Sequence, residues 1–444
     1  MKKTILSIGL MASVLSSSAF SAAGKIEEQV FIPNYDKKIV KMIESHPELI
    51  MDHMSDNGFE LYGPIGTKAW LESASIEFNE VEHDHNKSSD KALGYPTHTK
   101  ITAFLKSIEK NYPNIAKLES IGKSVDGKDL WVLKISDNVN VDEVEPEFKY
   151  ISSMHGDEIT GREMMQFLIK DIVEGYGKDK RITDLVNNTE LYIMPSMNPD
   201  GSKKKQRANA NGYDLNRNFP NWDDEKSTTA IRQPETIAVM DYQASRQFSL
   251  SANFHGGAVC VNYPWDSTKV RHPFDSLLQD LSLRYSAENR PMFTSREFNQ
   301  GITNGADWYV VRGGMQDWSY VFHNDLQVTV ELSDRKWPSY SKIPSYYQDN
   351  KESMLVYAEA IHQGAGFKSS LGRTGTVKIK KLLNGRKQDM GSYGFRGGEF
   401  FKVLDEGQYE FIVEFDGGQS TPIAKFETSV EKNKSYSNGN YTQL

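Results

Sequence analysis

Four short runs, "FKYISS" (148–153), "ELYIMP" (190–195), "FSLSANF" (248–254) and "LQVTVEL" (326–332), read as buried strands separated by stretches with helical patterning. That alternation, from Tyr95 to about Gly366, restricts the chain more than any other feature. Strands spaced by helices imply an α/β domain, with a mixed twisted sheet flanked by helices. The segment after Glu158 carries Met165, Leu168, Ile169 and Ile172 at i, i+3, i+4 and i+7, which predicts a helix with one buried face, stopped near Gly175 and Gly177. Polar residues collect at the ends of the four runs, and in open α/β sheets ligands gather at the carboxyl ends of strands.

His155 and Glu158, three positions apart in "SSMHGDEITGREMM", stand where the first run gives way to that helix. A catalytic zinc ion takes three imidazole or carboxylate ligands and keeps one position for water. A His-x-x-Glu pair is a common coincidence on its own. A third ligand has to come from another strand end, and "SANFHGG" places His255 at one, followed by two glycines that let backbone approach a ligand.

Between these pieces lies "NPDGSKKKQRANANGYDLNRNFP" (198–220). With "HGDE", "HGG…NYPWD", "WYVVRGGMQDWSY" and "ELS" in order and spacing, the chain from Tyr95 onward resembles the zinc metallocarboxypeptidases of the carboxypeptidase A superfamily. The likeness is to the N/E/D/M subgroup, in the form of a bacterial secreted member. It implies a zinc carboxypeptidase-like α/β fold followed by a transthyretin-like β-sandwich. It assigns one zinc ion to His155, Glu158 and His255 and the general base to Glu331 in "VELS". It places Arg207 on the oxyanion, Asn216, Arg217 and Tyr309 on the substrate's terminal carboxylate, and Asp214 behind a zinc-bound imidazole. The side chain of the departing residue would meet Asp266, eleven residues after His255, and Gln316. Asp266 there implies a preference for C-terminal Arg or Lys. One departure is Lys128 in "DGKDL", where relatives usually carry Arg, which puts an outer subsite contact in doubt.

The resemblance therefore implies an exopeptidase acting on peptide or protein C-termini. Two other readings remain open at this level: a related zinc amidohydrolase acting on cell-wall peptides, and a catalytically inactive peptide-binding homologue. An adhesion or scaffold role for the C-terminal part is neither supported nor excluded by any motif.

The remaining sequence bounds compartment and partners. Lys2 and Lys3, an apolar run from Thr4 to Leu15 and small residues near Ala22 form a cleavable secretory leader over 1–22, so the expected location is secreted or periplasmic. The run is shorter than the roughly 20 residues a spanning helix needs, and Cys260, the single cysteine, is too far away to carry a lipid anchor. Without a partner cysteine no intramolecular disulfide forms, and Cys260 reads as a small buried apolar residue. Loss of Lys2 and Lys3 takes the formal charge from −8 to −10, which argues against a nucleic-acid partner and mildly favours positive substrates. Oligomeric state leaves no signature.

Residues 23–94 are the least legible, with a helix expected within "NYDKKIVKMIESHPELIMDHM" and a polar connector "FNEVEHDHNKSSDKALGY" carrying His83 and His85. A pro-segment and a small appended domain fit this stretch equally well. The catalytic domain is expected over 95–366 and a small β-domain of about seven strands or fewer over 367–444. There Tyr409, Phe411, Val413 and Phe415 alternate with Glu410 and Glu414.

Overall fold

The structure, a computed structural model, describes residues 24–34, 36–81, 94–222, 232–370, 372–417, 423–432 and 441–444. The leader expected over 1–22, and the connector histidines His83 and His85, lie outside the described residues. Among those described, no helix is long and apolar enough to cross a membrane.

The four runs form neighbouring, mutually parallel strands at the centre of an eight-stranded mixed sheet. In spatial order the strands are Ile302–Asn304, Val259–Tyr263, Leu326–Leu332, Phe248–His255, Glu147–Ser152, Glu190–Met194, Asp129–Ile135 and Ala116–Lys123. Every residue of the central four is buried, as expected for strands covered on both faces. The helix after Glu158 spans Thr160–Gly175, and its predicted stripe of Met165, Leu168, Ile169 and Ile172 is at most 2% exposed. At about 25 cal/mol per Å² of apolar surface removed from water, side chains of this size each contribute roughly 1.5–3 kcal/mol, so this helix is held by its packing. The flanking strands Ala116–Lys123, Asp129–Ile135, Val259–Tyr263 and Ile302–Asn304 had no counterpart in the sequence reading.

The parallel strands fix the site because their carboxyl ends lie on one edge. Glu331 is in register with His255 on the adjacent strand. The Glu147–Ser152 strand ends beside them, Ser153 turns the chain at φ 56°, and His155 and Glu158 follow before the helix.

After the sheet come two further sheets, Glu399–Val403, Gly364–Lys368 and Tyr441–Gln443 in one, Arg386–Phe395, Gly375–Leu383, Gly407–Phe415 and Ile423–Val430 in the other. Tyr409, Phe411, Val413 and Phe415 point inward at no more than 3% exposure. Glu410 lies on the opposite face, between Lys387 and Lys425.

The N-terminal residues fold as a separate four-stranded sheet, in order Ile50–Ser55, Gly58–Gly63, Glu28–Pro33 and Asn79–Glu80, with two helices. The helix expected across 34–54 is shorter than predicted: it spans Lys37–Glu44, capped by the Asp36 carboxylate on the Lys38 amide. "ELIMDHM" instead supplies the strand Ile50–Ser55, paired with Gly58–Gly63. Pro47 explains the difference, since it lacks an amide donor and its ring disfavours helical backbone at His46.

Candidate functional site

His155 and Glu158 sit on the strand-to-helix turn and His255 at a strand end, and all three are at most 3% exposed. His155 Nε2 lies 3.0 Å from Asp214 Oδ1. An ionised carboxylate can only accept, so Nε2 carries a proton and Nδ1 is the ring nitrogen left to face Glu158 and His255, where a metal ion can replace its proton. That Nδ1 is 2.9 Å from Glu158 Oε1 and 3.0 Å from His255 Nδ1, and His255 Nδ1 is 2.7 Å from Glu158 Oε2. Three electron-pair donors thus converge on one point. A proton there satisfies one contact, whereas a divalent cation with imidazole and carboxylate ligands satisfies all three, and the donor set suits zinc. Burial and the Arg207 guanidinium disfavour a charged His155, but Glu158 and Asp214 outweigh them and raise its pKa to about 9.

Asp214 also accepts from Arg207 Nε at 2.9 Å. Burial opposes its charge, yet Arg207 and then His155 hold its carboxyl far below the usual range. One carboxylate therefore orients both an imidazole and the arginine expected on the oxyanion. Arg207 is 4% exposed and reaches Glu158 Oε1 at 3.3 Å, which directs its charge at the convergence point. Glu331 is buried beside this group, with an Oε2 that has no partner among the described residues. Burial first, then the Glu158 charge, push its pKa up to about 8.

The residues expected to hold a terminal carboxylate come from three places in the chain. Asn216 and Arg217 lie on a single 3-10 turn, Leu215–Arg217, started by the Asp214 carboxylate on the Asn216 amide. Tyr309 follows a short helix, Gly305–Trp308. Asn216 Oδ1 accepts from the Met315 amide at 3.0 Å, which ties this turn to the segment carrying Gln316.

Asp266 is 3% exposed, and its Oδ1 accepts from Asn262 Nδ2 and Gln316 Nε2, both at 3.0 Å. The other ends of those amides, Asn262 Oδ1 and Gln316 Oε1, are buried acceptors with no partner among the described residues. A carboxylate with two unpaired acceptors suits a donor-rich cation. Burial, then the neighbouring Asp317, push the Asp266 carboxyl well above the ordinary range. Asp317 itself accepts from the amides of Asp266 and Ser267, each at 2.9 Å, and so fixes the backbone that carries Asp266.

Hydrogen bonds thus connect His155, Glu158, His255, Arg207 and Asp214, Asp214 leads on to Asn216, the Met315 amide joins Asn216 to the segment of Gln316, and Gln316 reaches Asp266, while Glu331 lies in register with His255. Asn262, Asp317 and Gly305 were missed. Asn262 stood inside the quoted "NYPWD" and Asp317 inside "GGMQD", but no periodicity marks either as part of a pocket. Gly305 is legible only in three dimensions: a Cβ there would lie 1.8 Å from Asp266 Oδ1. Lys128 is far from silent, since it pairs with the fully buried Asp200 and stands 3.6 Å from Asp126.

A model of the zinc carboxypeptidase family matches residues 101–353. Carboxypeptidase D of Homo sapiens is 41% identical over 353 residues, a stretch covering 72% of this chain and 25% of that protein. Carboxypeptidase M of Mus musculus is 38% identical over 346 residues, covering 72% of this chain and 77% of that protein. The chain thus spans about a quarter of carboxypeptidase D and most of carboxypeptidase M. Among solved structures, carboxypeptidase A of Helicoverpa armigera superposes with a TM-score of 0.59 at 18% identity, over 76% of this chain and 97% of that one. The domain match and these relatives agree with the converging histidines and glutamate, and on that footing the chain belongs to the zinc carboxypeptidase family.

Proposed function

We propose that the protein is a zinc-dependent exopeptidase that hydrolyses the C-terminal peptide bond of peptides or proteins and prefers a departing Arg or Lys. The observation that carries this reading is the convergence of His155 Nδ1, His255 Nδ1 and Glu158 on one point while Asp214 fixes the tautomer of His155. His155, Glu158 and His255 would hold a zinc ion, which would supply Lewis-acid chemistry that makes water a competent nucleophile near neutral pH.

The chain's own groups do the rest. Arg217, with Asn216 and Tyr309, holds the substrate's terminal carboxylate and sets which bond is presented, because a guanidinium matches a carboxylate in two parallel hydrogen bonds. Asp266, Asn262 and Gln316 take the departing side chain. Glu331 accepts a proton from the attacking water and returns it to the leaving amine, which keeps the reaction free of a covalent enzyme intermediate. Arg207, preorganised by Asp214, faces the negative charge that develops on the carbonyl oxygen.

The domain boundaries expected from sequence are proposed with this function: an N-terminal unit ending near residue 94, a catalytic domain over 95–366 and a C-terminal β-domain from 367. A secreted or periplasmic location and extracellular peptide substrates are proposed likewise. Incubation with a mixed peptide library, followed by mass spectrometry, tests the reading. Loss of single C-terminal Arg or Lys residues, abolished by a strong chelator and restored by Zn²⁺, is expected. Internal cleavage, or undiminished hydrolysis in metal-free protein, overturns it.

A further inference from the structure

Both flanking units reach into the catalytic domain. From the N-terminal sheet, Asp52 pairs with Arg207 at 2.6 Å and with Lys336 at 3.1 Å, and the Met51 carbonyl accepts from Arg217 Nη2 at 3.3 Å. From the C-terminal β-domain it is Lys402 that enters. This lysine lies on the strand Glu399–Val403 and is 1% exposed. The Phe401 carbonyl beside it accepts from Ser249 Oγ at 3.1 Å, which sets the strand against the central sheet. A buried ammonium is costly unless its charge is met. Here Nζ donates to the Asn324 carbonyl at 2.9 Å and stands 4.5, 4.6 and 5.2 Å from the ring centres of Tyr393, Tyr320 and Phe274. Tyr393 belongs to the β-domain, Tyr320 and Phe274 to the catalytic domain.

Two routes lead from these contacts to Asp266. The first is the helix Met315–His323, which Asn324 ends at φ 62°. A cation on the Asn324 carbonyl complements the negative end of this helix. The first turn of the same helix carries Gln316, which donates to Asp266, and Asp317, which accepts from the amides of Asp266 and Ser267. The second route is a stack of rings. Tyr320 lies 4.2 Å from His272 and 5.6 Å from Trp265, and Trp265 lies 4.4 Å from His272. Trp265 directly precedes Asp266. His272 serves here as a neutral ring: the Phe274 amide donates to its Nδ1 at 2.9 Å, and burial, then the Lys402 charge, push its pKa down to about 3. Burial pushes the Lys402 pKa down to about 7, opposed by Asp325, and the ring faces and the carbonyl favour the charged form.

We propose that Lys402 is a positioning residue for the specificity pocket: by holding the end of the helix Met315–His323 and the ring stack beneath Trp265, the β-domain fixes Asp317, and through it Asp266, where the departing side chain is received. The inference rests on the exopeptidase reading and its basic-terminus pocket. Lys402 touches neither substrate nor metal ligand; it acts through Tyr320 and Asn324. The β-domain thereby gains a part in the reaction beyond its own folding. Selectivity depends on holding a buried carboxylate in place, because a misplacement of about 1 Å is enough to cost on the order of 100-fold.

The test compares the zinc-loaded full chain with Lys402→Met, which keeps the apolar stem and removes the charge. Amide hydrogen exchange, read by mass spectrometry in a peptide spanning Asp266 and Ser267, should quicken at least about tenfold, while the strand Phe248–His255 exchanges as before. In kinetics, KM for a peptide ending in Arg should rise about tenfold, with its kcat, and both constants for a peptide ending in Leu, within about twofold. Val413→Ala, in the core of the other sheet of the β-domain, controls for lost stability and should move neither readout. Should Lys402→Met fail to fold, Tyr393→Leu removes the β-domain's ring from the same ammonium and takes its place. Unchanged exchange at Asp266 and Ser267, or an equal change in Val413→Ala, overturns the positioning role. An Arg-to-Leu ratio near one in the unaltered chain, or no hydrolysis at all, overturns the pocket or exopeptidase reading instead, and the exchange measurement then decides the role of Lys402 by itself.

Discussion

Replacing Asp266 by Asn should erase the preference for basic C-termini while leaving turnover of apolar ones nearly intact. The substitution keeps shape and keeps an oxygen where Asn262 Nδ2 and Gln316 Nε2 now donate at 3.0 Å, so the pocket wall survives. What disappears is the charge. A buried carboxylate left without its cation is penalised by roughly 3–5 kcal/mol, so an Arg-ending peptide should exceed a Leu-ending one by about 160- to 4700-fold in kcat/KM at 1.36 kcal/mol per decade. Part of that advantage is lost in the free protein, because burial and Asp317 already drive the Asp266 carboxyl toward its neutral form. The lower end of the range is therefore the expected one. The assay is the ratio of kcat/KM for two peptides that differ only in the last residue. A ratio near one in the unaltered protein, or a ratio that survives Asp266→Asn, would refute the pocket assignment and leave the metal chemistry untouched.

The same pocket gives two further expectations. Gly305→Ala pushes a Cβ to within 1.8 Å of Asp266 Oδ1, so it should destabilise the chain by about 1–3 kcal/mol and lower the Arg-to-Leu ratio at least about tenfold, read by thermal denaturation and by kinetics. Because the Asp266 pKa is raised, its anion is gained only as pH climbs above the ordinary carboxylate range; the Arg-to-Leu ratio should grow as the pH rises beyond that range, and should be flat in Asp266→Asn. Glu331→Gln should bind zinc and peptide normally but lose about 100- to 10000-fold in kcat, measured alongside metal content; zinc lost together with activity would make Glu331 structural.

Much of this site was legible before any coordinates because its residues are anchored to local patterns. His255 and Glu331 close runs whose burial is visible in composition alone, and His155 and Glu158 stand at a strand-to-helix switch set by periodicity. The edge strands were not legible for the converse reason. Ala116–Lys123 has an exposed or half-buried residue at seven of its eight positions, and neither its pattern nor its composition separates it from a loop; it is a strand because Asp129–Ile135 offers it hydrogen bonds.

Asp52 marks the limit of sequence reasoning most sharply. It stands 155 residues from Arg207 and 284 from Lys336, in a stretch where helix and strand were both compatible with the residues present. Its local reading was helical, which would have spread Met51, Asp52 and His53 around an axis. Paired as a strand, the chain offers the Met51 carbonyl and the Asp52 carboxylate separately, and the left-handed backbone of His53 (φ 50°) then carries its ring to Gly257. Pro47 decides between these outcomes by ending the helix early. A single helix breaker five residues upstream is therefore what allows this segment to match the spacing of Arg217, Arg207 and Gly257.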